Sequence, residues 1–272
     1  NSDLIKINSV SRIAVNHDLT YLLCSDGSKI EARALRPEKG SNNWTMKLKS
    51  KADPVKNYKF VLNGQEFRID KNGILNDAAY IYNKTDLGIT FTNEEITVKV
   101  WTPVAEKVNL LLYDNYNIET AFAYPMVKTE QGVWKTGLPL EAKGKYYLFE
   151  VTVNGETKTT PDPYSIGLSA NSKRSLIADL RETDPAGWNE TPRPDFVKMT
   201  DAVIYELHVR DISIHKSSGI RNKGKYLAFT EKETKSPEGY STGISHLKEM
   251  GVTHIHLLPV YDFGSVDENR QD

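Results

Sequence analysis

The chain has 272 residues, of which 39% are apolar and 26% are charged, and its formal net charge is −1. This length and apolar content predict a folded protein of one to three domains and exclude a disordered chain. The near-zero net charge gives no basis for binding nucleic acid or an anionic membrane surface. No apolar run approaches the length of about eighteen residues that a membrane span needs. We therefore predict neither a nucleic-acid partner nor a membrane partner.

Residues 1–84 are predicted to form a small all-β domain. Strand-like segments lie at 19–26, 28–35, 43–49 and 56–70. In the last of these, Tyr58, Phe60 and Leu62 alternate with other residues, which is typical of a strand with one buried face. Asn63-Gly64 follows and can adopt the positive φ angles of a type I′ hairpin turn. These features predict an immunoglobulin-like sandwich.

Residues 85–170 are predicted to form a second sandwich of the same kind. Its strand-like segments lie at 95–102, 107–114, 132–138 and 144–160, with a hairpin turn at Asn154-Gly155. In both blocks a tryptophan (Trp44, Trp134) precedes an aromatic-x-aromatic strand and an Asn-Gly turn at nearly equal spacing. We interpret this as two copies of one design, and chance similarity between small β-domains is the alternative.

Residues 171–200 are predicted to be an ordered connector. The surrounding stretch 159–196 contains five prolines, and its apolar residues Leu176, Ile177, Leu180 and Trp188 are unlike those of a flexible linker. We expect these side chains to pack against the domains on both sides. A simple linker is the alternative interpretation.

Residues 201–272 are predicted to begin an α/β domain. Apolar runs at 202–209 and 252–260 flank a helical pattern at 241–251, and Gly251 lies where a glycine ends a helix. Neither run alternates strictly, so we expect two parallel strands that are buried on both faces.

The segments AVIYELHVRDIS, NKGKYLAFTE and STGISHLKEMGVTHIHLLPVYDFGSVDE resemble the opening of the catalytic barrel of type I pullulanases. These are starch-debranching enzymes of the α-amylase family of glycoside hydrolases. The resemblance implies a multidomain protein with two all-β immunoglobulin-like sandwiches followed by the first βαβ unit of a truncated (β/α)8 barrel. It also implies hydrolysis of α-1,6-glucosidic links in pullulan, amylopectin and limit dextrins, by two carboxyl groups and without a cofactor or metal.

The same resemblance places the catalytic carboxyl groups after later barrel strands. It therefore implies no catalytic residue in this chain, and it makes the remainder of the barrel a partner of residues 201–272. Active-site groups of such barrels lie at the C-terminal ends of the strands. We accordingly expect Tyr261, Asp262 and His208 to border the sugar cleft.

The two β-blocks resemble α-glucan-binding modules. The first block is similar to the glycogen-binding module of the AMP-activated kinase in the segments NNWTMKL and KNYKFVLNGQEFRID. The second block is similar to the module that precedes the barrel in isoamylases and pullulanases, in the segments ITVKVWTPVAEKVNLLLYD and GKYYLFEVTVNG. The resemblance implies glucan contacts at Lys59 and Phe67 in the first block and at Trp101 in the second. Leu148 stands where the second block would need a lysine. Because neither block has the complete set, we expect weak binding.

Several other interpretations of these residues stay open. His208, His254 and His256 could bind a metal ion, but packing and hydrogen bonding are favoured. Glu206, Asp211, Asp262 and Asp267 could form a carboxyl pair, but structural hydrogen bonds are favoured. The charged loop at 231–235 is predicted to be solvated surface. For the whole protein, the alternatives are a non-catalytic α-glucan-binding protein, an isoamylase or a glycogen branching enzyme.

Overall fold

The structure is a computed structural model that describes residues 3–10, 13–70, 72–192, 197–261 and 264–270. The chain forms two compact units, Asn1–Thr183 with Glu268–Asp272, and Asp184–Asp267. The first unit contains two all-β modules, which confirms the all-β prediction for both blocks. Within the described ranges, no helix has the length and apolar character needed to cross a membrane.

The first module is one six-stranded antiparallel sheet in the order β1-β4-β3-β2-β5-β6. Its strands are β1 (Leu4–Ile7), β2 (Tyr21–Cys24), β3 (Lys29–Pro37), β4 (Trp44–Leu48), β5 (Tyr58–Leu62) and β6 (Gln65–Arg68). Asn63 and Gly64 join β5 to β6 with φ angles of 52° and 82°, as the hairpin prediction requires.

Strand β3 allows this single sheet to enclose a core. Its first half pairs with β2 and its second half with β4, and the register shifts between Ala32 and Ala34. A bulge of this kind bends the strand and increases its twist. The two halves of the sheet therefore pack their side chains, such as Ile5, Met46 and Phe60, into one core.

The second module is a sandwich of two antiparallel sheets. One sheet has the order β7-β8-β12-β11 and the other β10-β9-β13-β14, with β15 pairing to β13. The strands are β7 (Gly88–Phe91), β8 (Ile96–Trp101), β9 (Lys107–Tyr113), β10 (Phe122–Pro125), β11 (Val127–Lys128), β12 (Val133–Leu138), β13 (Tyr146–Val153), β14 (Glu156–Thr160) and β15 (Ser175–Leu176). The Asn154-Gly155 turn between β13 and β14 has positive φ at both residues, as predicted.

The two modules share one topology, which agrees with the repeat inferred from the sequence. β4 pairs with β1 as β12 pairs with β8, and β5 pairs with β2 and β6 as β13 pairs with β9 and β14. The bent strand β3 corresponds to β10 and β11 together, which pair with β9 and β12. The first module thus has one bent strand where the second has two strands separated by Met126.

A buried hydrogen-bond network fixes the segment after β14 to the second module. The hydroxyl of the fully buried Tyr147 donates to Asp162 Oδ2 at 2.6 Å, and the backbone N–H of Asp162 donates to Ser175 Oγ at 2.8 Å. The N–H of Tyr164 donates to Asp162 Oδ1 at 2.8 Å. Burial raises the pKa of Asp162 because the ionised carboxyl loses its water.

The packing predicted for the connector is correct for its first half only. Ile177 is fully buried in the sandwich core, and Leu176 lies on β15 beside β13. Leu180 and Trp188, in contrast, are 53% and 60% exposed. The pairing of β15 holds the first two residues against the sandwich, whereas the boundary between the two units falls after Thr183, within the predicted connector.

The second unit contains the predicted strand, helix and strand in shorter form. β16 (Ile204–Leu207) pairs in parallel with β17 (His254–Leu257), and α1 (Gly243–Glu249) lies between them in sequence. Gly251, just after the helix, has a φ of 76°, which is the left-handed conformation predicted for it.

The expected burial of these two strands on both faces is not reached within this chain. Leu207 is buried, but Ile204 is 65% exposed, Ile255 is 37% exposed and Leu257 is 36% exposed. The two strands have only each other as hydrogen-bonded neighbours among the described residues, and the helix α1 is short. Both faces therefore keep apolar surface in contact with solvent.

The buried network generates a prediction for Tyr147→Phe. Loss of the hydroxyl removes a hydrogen bond to a buried carboxylate, so we expect the unfolding free energy to fall by about 1–3 kcal/mol at pH 7. Asp162 has a higher pKa in the folded state than in the unfolded state. At pH values between these two pKa values the folded state binds more protons, so the unfolding free energy falls as pH rises through this range. In Tyr147→Phe the unfolding free energy falls more steeply with pH, because the ionised Asp162 carboxylate no longer accepts the hydrogen bond from the Tyr147 hydroxyl.

Equilibrium urea unfolding at pH 7 and at pH 4 measures this effect. The loss should be larger at pH 7, where Asp162 must ionise, than at pH 4. Tyr146→Phe is the matched control, since Tyr146 is the partly exposed neighbour on the same strand. A Tyr147→Phe loss no greater than that of the control, or one independent of pH, would contradict the account.

Candidate functional site

The structure separates the two sugar contacts predicted in the first module. In the β5–β6 hairpin Lys59 pairs with Arg68, and Phe60 pairs with Phe67. Paired residues of an antiparallel ladder lie on the same face, and successive residues lie on opposite faces. Lys59 and Phe67 therefore lie on opposite faces of the hairpin.

The surroundings of these two residues differ accordingly. Lys59 Nζ lies 2.6 Å from Glu66 Oε2 at the exposed surface. The Phe67 ring is 46% exposed, and its centroid lies 6.3 Å from that of Phe60. Phe67 also lines a cavity of about 740 Å³ whose walls include Ile7 and Leu22. Phe67 thus belongs to the apolar inner side of the sheet, and Lys59 to its polar outer side.

Trp101 lies on the outer face of the second sandwich. It pairs with Val133, whereas its neighbour Val100 points into the core. The indole Nε1–H donates to the backbone carbonyl oxygens of Tyr80 and Gln131, at 3.0 Å each. The polar edge of this indole is therefore already bound within the chain.

The predicted cleft residues follow the two parallel strands of the second unit. The N–H of Leu258 donates to the carbonyl of Leu207 at 2.9 Å, so the C-terminal ends of β16 and β17 lie side by side. His208 comes directly after β16, and its Nδ1 accepts the N–H of Arg210 at 3.0 Å. Tyr261, after β17, is 79% exposed. Asp262 lies outside the described residues.

The histidines of this region have protein partners. His256 Nδ1 lies 3.2 Å from Glu206 Oε2, its register partner on β16, and His254 Nδ1 lies 2.8 Å from Thr253 Oγ1. Among the residues that can be described, no group of three or more His, Cys, Asp or Glu side chains is arranged to hold a metal ion. Glu206 and His256 thus form a cross-strand pair.

The charged loop contains one residue that is not simple solvated surface. The Glu231 carboxylate accepts the backbone N–H groups of Arg221 and Asn222 at 3.0 and 2.8 Å, and the Asn222 side-chain amide at 2.7 Å. The backbone donors lower its pKa, because they favour the charged form. The prediction of a solvated loop is therefore wrong at Glu231, which fixes the turn at Arg221 and Asn222.

Sequence reasoning missed the residues that bind the segment between the two modules. Gln131 Nε2 donates to the carbonyl of Ile81 at 2.6 Å, and Lys99 forms an ion pair with Asp86. Gln131 has a φ of 57° and precedes Gly132, whose φ is 79°. The Gln-Gly pair in the sequence was the available signal for this turn, because glycine tolerates left-handed backbone.

Comparison with known proteins gives this arrangement a family context. Residues 86–165 match the family described as Carbohydrate-binding module 48 (Isoamylase N-terminal domain). Over 210 residues the chain is 36% identical to the pullulanase of Bacillus subtilis, a match that covers 76% of this chain and 28% of that protein. The chain therefore spans less than a third of this relative's length.

Solved structures agree with these matches. The pullulanase from Bacillus acidopullulyticus is 41% identical with a TM-score of 0.78, over 84% of this chain and 28% of that chain. A pullulanase from an Anoxybacillus species, solved in complex with maltotetraose, is 29% identical with a TM-score of 0.74, over 99% of this chain and 38% of that chain. As the sequence motifs predict, the chain belongs to the pullulanases and corresponds to the N-terminal portion of such a protein.

Proposed function

We propose that this chain is part of an enzyme that hydrolyses α-1,6-glucosidic branch links in pullulan, amylopectin and limit dextrins. The observation that carries the proposal is the 36% identity to the Bacillus subtilis pullulanase over 210 residues. The catalytic carboxyl groups belong to barrel strands beyond β17. Within this chain the β-modules bind α-glucan, and the residues after β16 and β17 form one edge of the cleft.

The exposed apolar strands support the barrel part of this proposal. β16 and β17 are the first two strands of a (β/α)8 barrel, and its remaining strands cover the side chains that are exposed here. Tyr205, Ile255 and Leu257 share one face of the pair by their register, and each is between 36% and 39% exposed. Burial of the remaining exposed surface is worth roughly 0.5–1 kcal/mol for each side chain, so the strand pair gains stability from the rest of the barrel.

The cleft role of His208 and Tyr261 follows from their position. In a barrel of this type, reacting groups come from the C-terminal ends of the strands. His208 and Tyr261 follow those ends, and the exposed ring of Tyr261 is free to stack on the apolar face of a glucose unit. Asp262 is proposed to share this edge.

A second candidate function is α-glucan binding without catalysis. The match of residues 86–165 to a carbohydrate-binding module favours it. The two candidates differ in what the protein does to pullulan: an enzyme shortens it, whereas a binding protein only retains it.

Assay of the 272-residue chain on pullulan tests where the catalytic groups lie. We expect no reducing ends above the blank, because the catalytic carboxyl groups follow later strands. The intact Bacillus subtilis pullulanase, assayed at the same concentration, is the positive control. Release of reducing ends by the purified chain would contradict this assignment, and it would place the reacting carboxyl groups within residues 1–272.

Titration with maltohexaose tests the glucan contacts of the first module. A single aromatic platform leaves a Kd on the order of millimolar after the cost of association. Because Lys59 and Phe67 lie on opposite faces, we expect Lys59→Ala and Phe67→Ala to act independently, with a coupling energy below about 0.5 kcal/mol.

Nuclear magnetic resonance titration of both single variants and the double variant measures this coupling. Lys47→Ala is the control, since Lys47 is an exposed lysine of β4 in the same module. Micromolar binding that survives Phe67→Ala would show that Phe67 is not a glucan contact, and strong coupling would show that one glucan contacts Lys59 and Phe67 together.

A further inference from the structure

The segment at residues 77–86, hereafter the strap, runs between the two β-modules and lies against the outer face of the second. Two neighbouring backbone carbonyls of the strap each accept a side-chain N–H from that module. Trp101 Nε1 donates to Tyr80 O at 3.0 Å, and Gln131 Nε2 donates to Ile81 O at 2.6 Å. These donors contact main-chain atoms, so they recognise the strap by its backbone path.

The end of the strap is fixed by charge. Asp86 forms an ion pair with Lys99 of β8 and accepts a hydrogen bond from the Tyr82 hydroxyl. The Lys99 ammonium lowers the pKa of Asp86, with a further contribution from Tyr82, and the same hydrogen bond raises the pKa of Tyr82 to about 12. Lys99 and Trp101 lie on the same outer face of β8, two residues apart.

The start of the strap is held by the first module. Asp77 is buried, and its Oδ1 accepts the N–H of Ala79 at 3.1 Å and lies 3.8 Å from Lys51 Nζ. Burial and the nearby Asp53 and Asp77 carboxylates raise the pKa of Tyr80. The carbonyl of Tyr80 faces Trp101.

The turn at Gln131 and Gly132 in the second module positions the two side-chain donors, Trp101 and Gln131, beside the strap. Gln131 and Gly132 both have positive φ, and a Cβ at Gly132 would lie 2.3 Å from Pro103 Cβ. Glycine is therefore required for the turn that places Gln131 beside Trp101. The carbonyl of Gln131 also accepts the Trp101 Nε1–H at 3.0 Å, which orients the indole toward the strap.

We propose that this outer face is a receptor for the chain's own strap, with Trp101 and Gln131 as the two donors that hold it. The docked strap joins the first module to the second and occupies the polar edge of Trp101. This assigns the Nε1–H of Trp101 to an intrachain interface, so the glucan contact implied by its position in the sequence is left to the face of the ring. The inference is independent of the proposed hydrolase activity.

Limited proteolysis of the 272-residue chain tests the receptor. Lys84 lies in the strap and is exposed, so trypsin can cut after it when the strap leaves the face. Trp101→Phe keeps an aromatic ring but removes the N–H, and Gln131→Ala removes the other donor. Loss of one hydrogen bond should raise the open population, and with it the rate of cleavage after Lys84, by about fivefold.

Two controls separate release of the strap from general unfolding. Lys135→Ala removes an outer-face residue whose partner is Glu95, at 3.9 Å, and should leave cleavage after Lys84 unchanged. Cleavage after Lys158, within β14, reports opening of the sandwich itself and should not change in any variant.

Three results would overturn the proposal. The first is an unchanged rate after Lys84 in both Trp101→Phe and Gln131→Ala. The second is an equal increase after Lys84 and Lys158, because the variants would then act by unfolding the module. The third is faster cleavage after Lys84 when millimolar maltohexaose is added to the unmodified chain, because a glucan would then displace the strap from Trp101.

Discussion

The packed core between the two sheets of the second module is the interaction on which the rest of the first unit depends. Ile96, Val98, Leu110 and Phe149 meet there with almost no exposed surface. Full burial of each such side chain is worth roughly 1.5–3 kcal/mol, so this core is the largest stabilising element in the unit. Segments on either side of the module are fixed to it.

The attachments on the two sides use different chemistry. Before the module, the strap is held at the outer face by hydrogen bonds from Trp101 and Gln131 and by the Lys99–Asp86 ion pair. After the module, Ile177 enters the core and Asp162 joins the network of Tyr147. The second attachment is the more buried one, and desolvation of Asp162 offsets part of its hydrogen-bond energy. One module thereby orders the chain on both sides of itself.

The strand pair of the second unit has no comparable core. Leu207 and Leu247 are buried, yet the neighbouring strand residues keep their apolar side chains at the surface. This contrast agrees with the proposed function. In that proposal, this chain supplies binding modules and one edge of a cleft, and further barrel strands supply the catalytic groups. A complete sandwich is stable by itself, whereas two strands of a barrel gain much of their burial from their neighbours.

Sequence reasoning located the long strands, both Asn-Gly hairpins and the glycine after α1, because alternation and left-handed turns leave local signals. It missed β1, β7, β10, β11 and β15, which have four residues or fewer and therefore leave too short a pattern in the sequence. Motif similarity grouped Lys59 with Phe67, but strand register puts them on opposite faces. The binding of Glu231 to the backbone of Arg221 and Asn222, and of Trp101 to the strap, joins residues nine or more positions apart, which a local pattern cannot indicate.

Hydrogen exchange along the whole 272-residue chain tests the central role of the second module most directly. We expect the slowest exchange in β8, β9, β12 and β13, slow exchange at Tyr164 and Ile177, and much faster exchange in β16 and β17. Exchange reports local opening free energies, so it separates segments attached to this core from segments with more exposed apolar surface. Equally slow exchange in β16 and β17 of a monomeric chain would contradict the account.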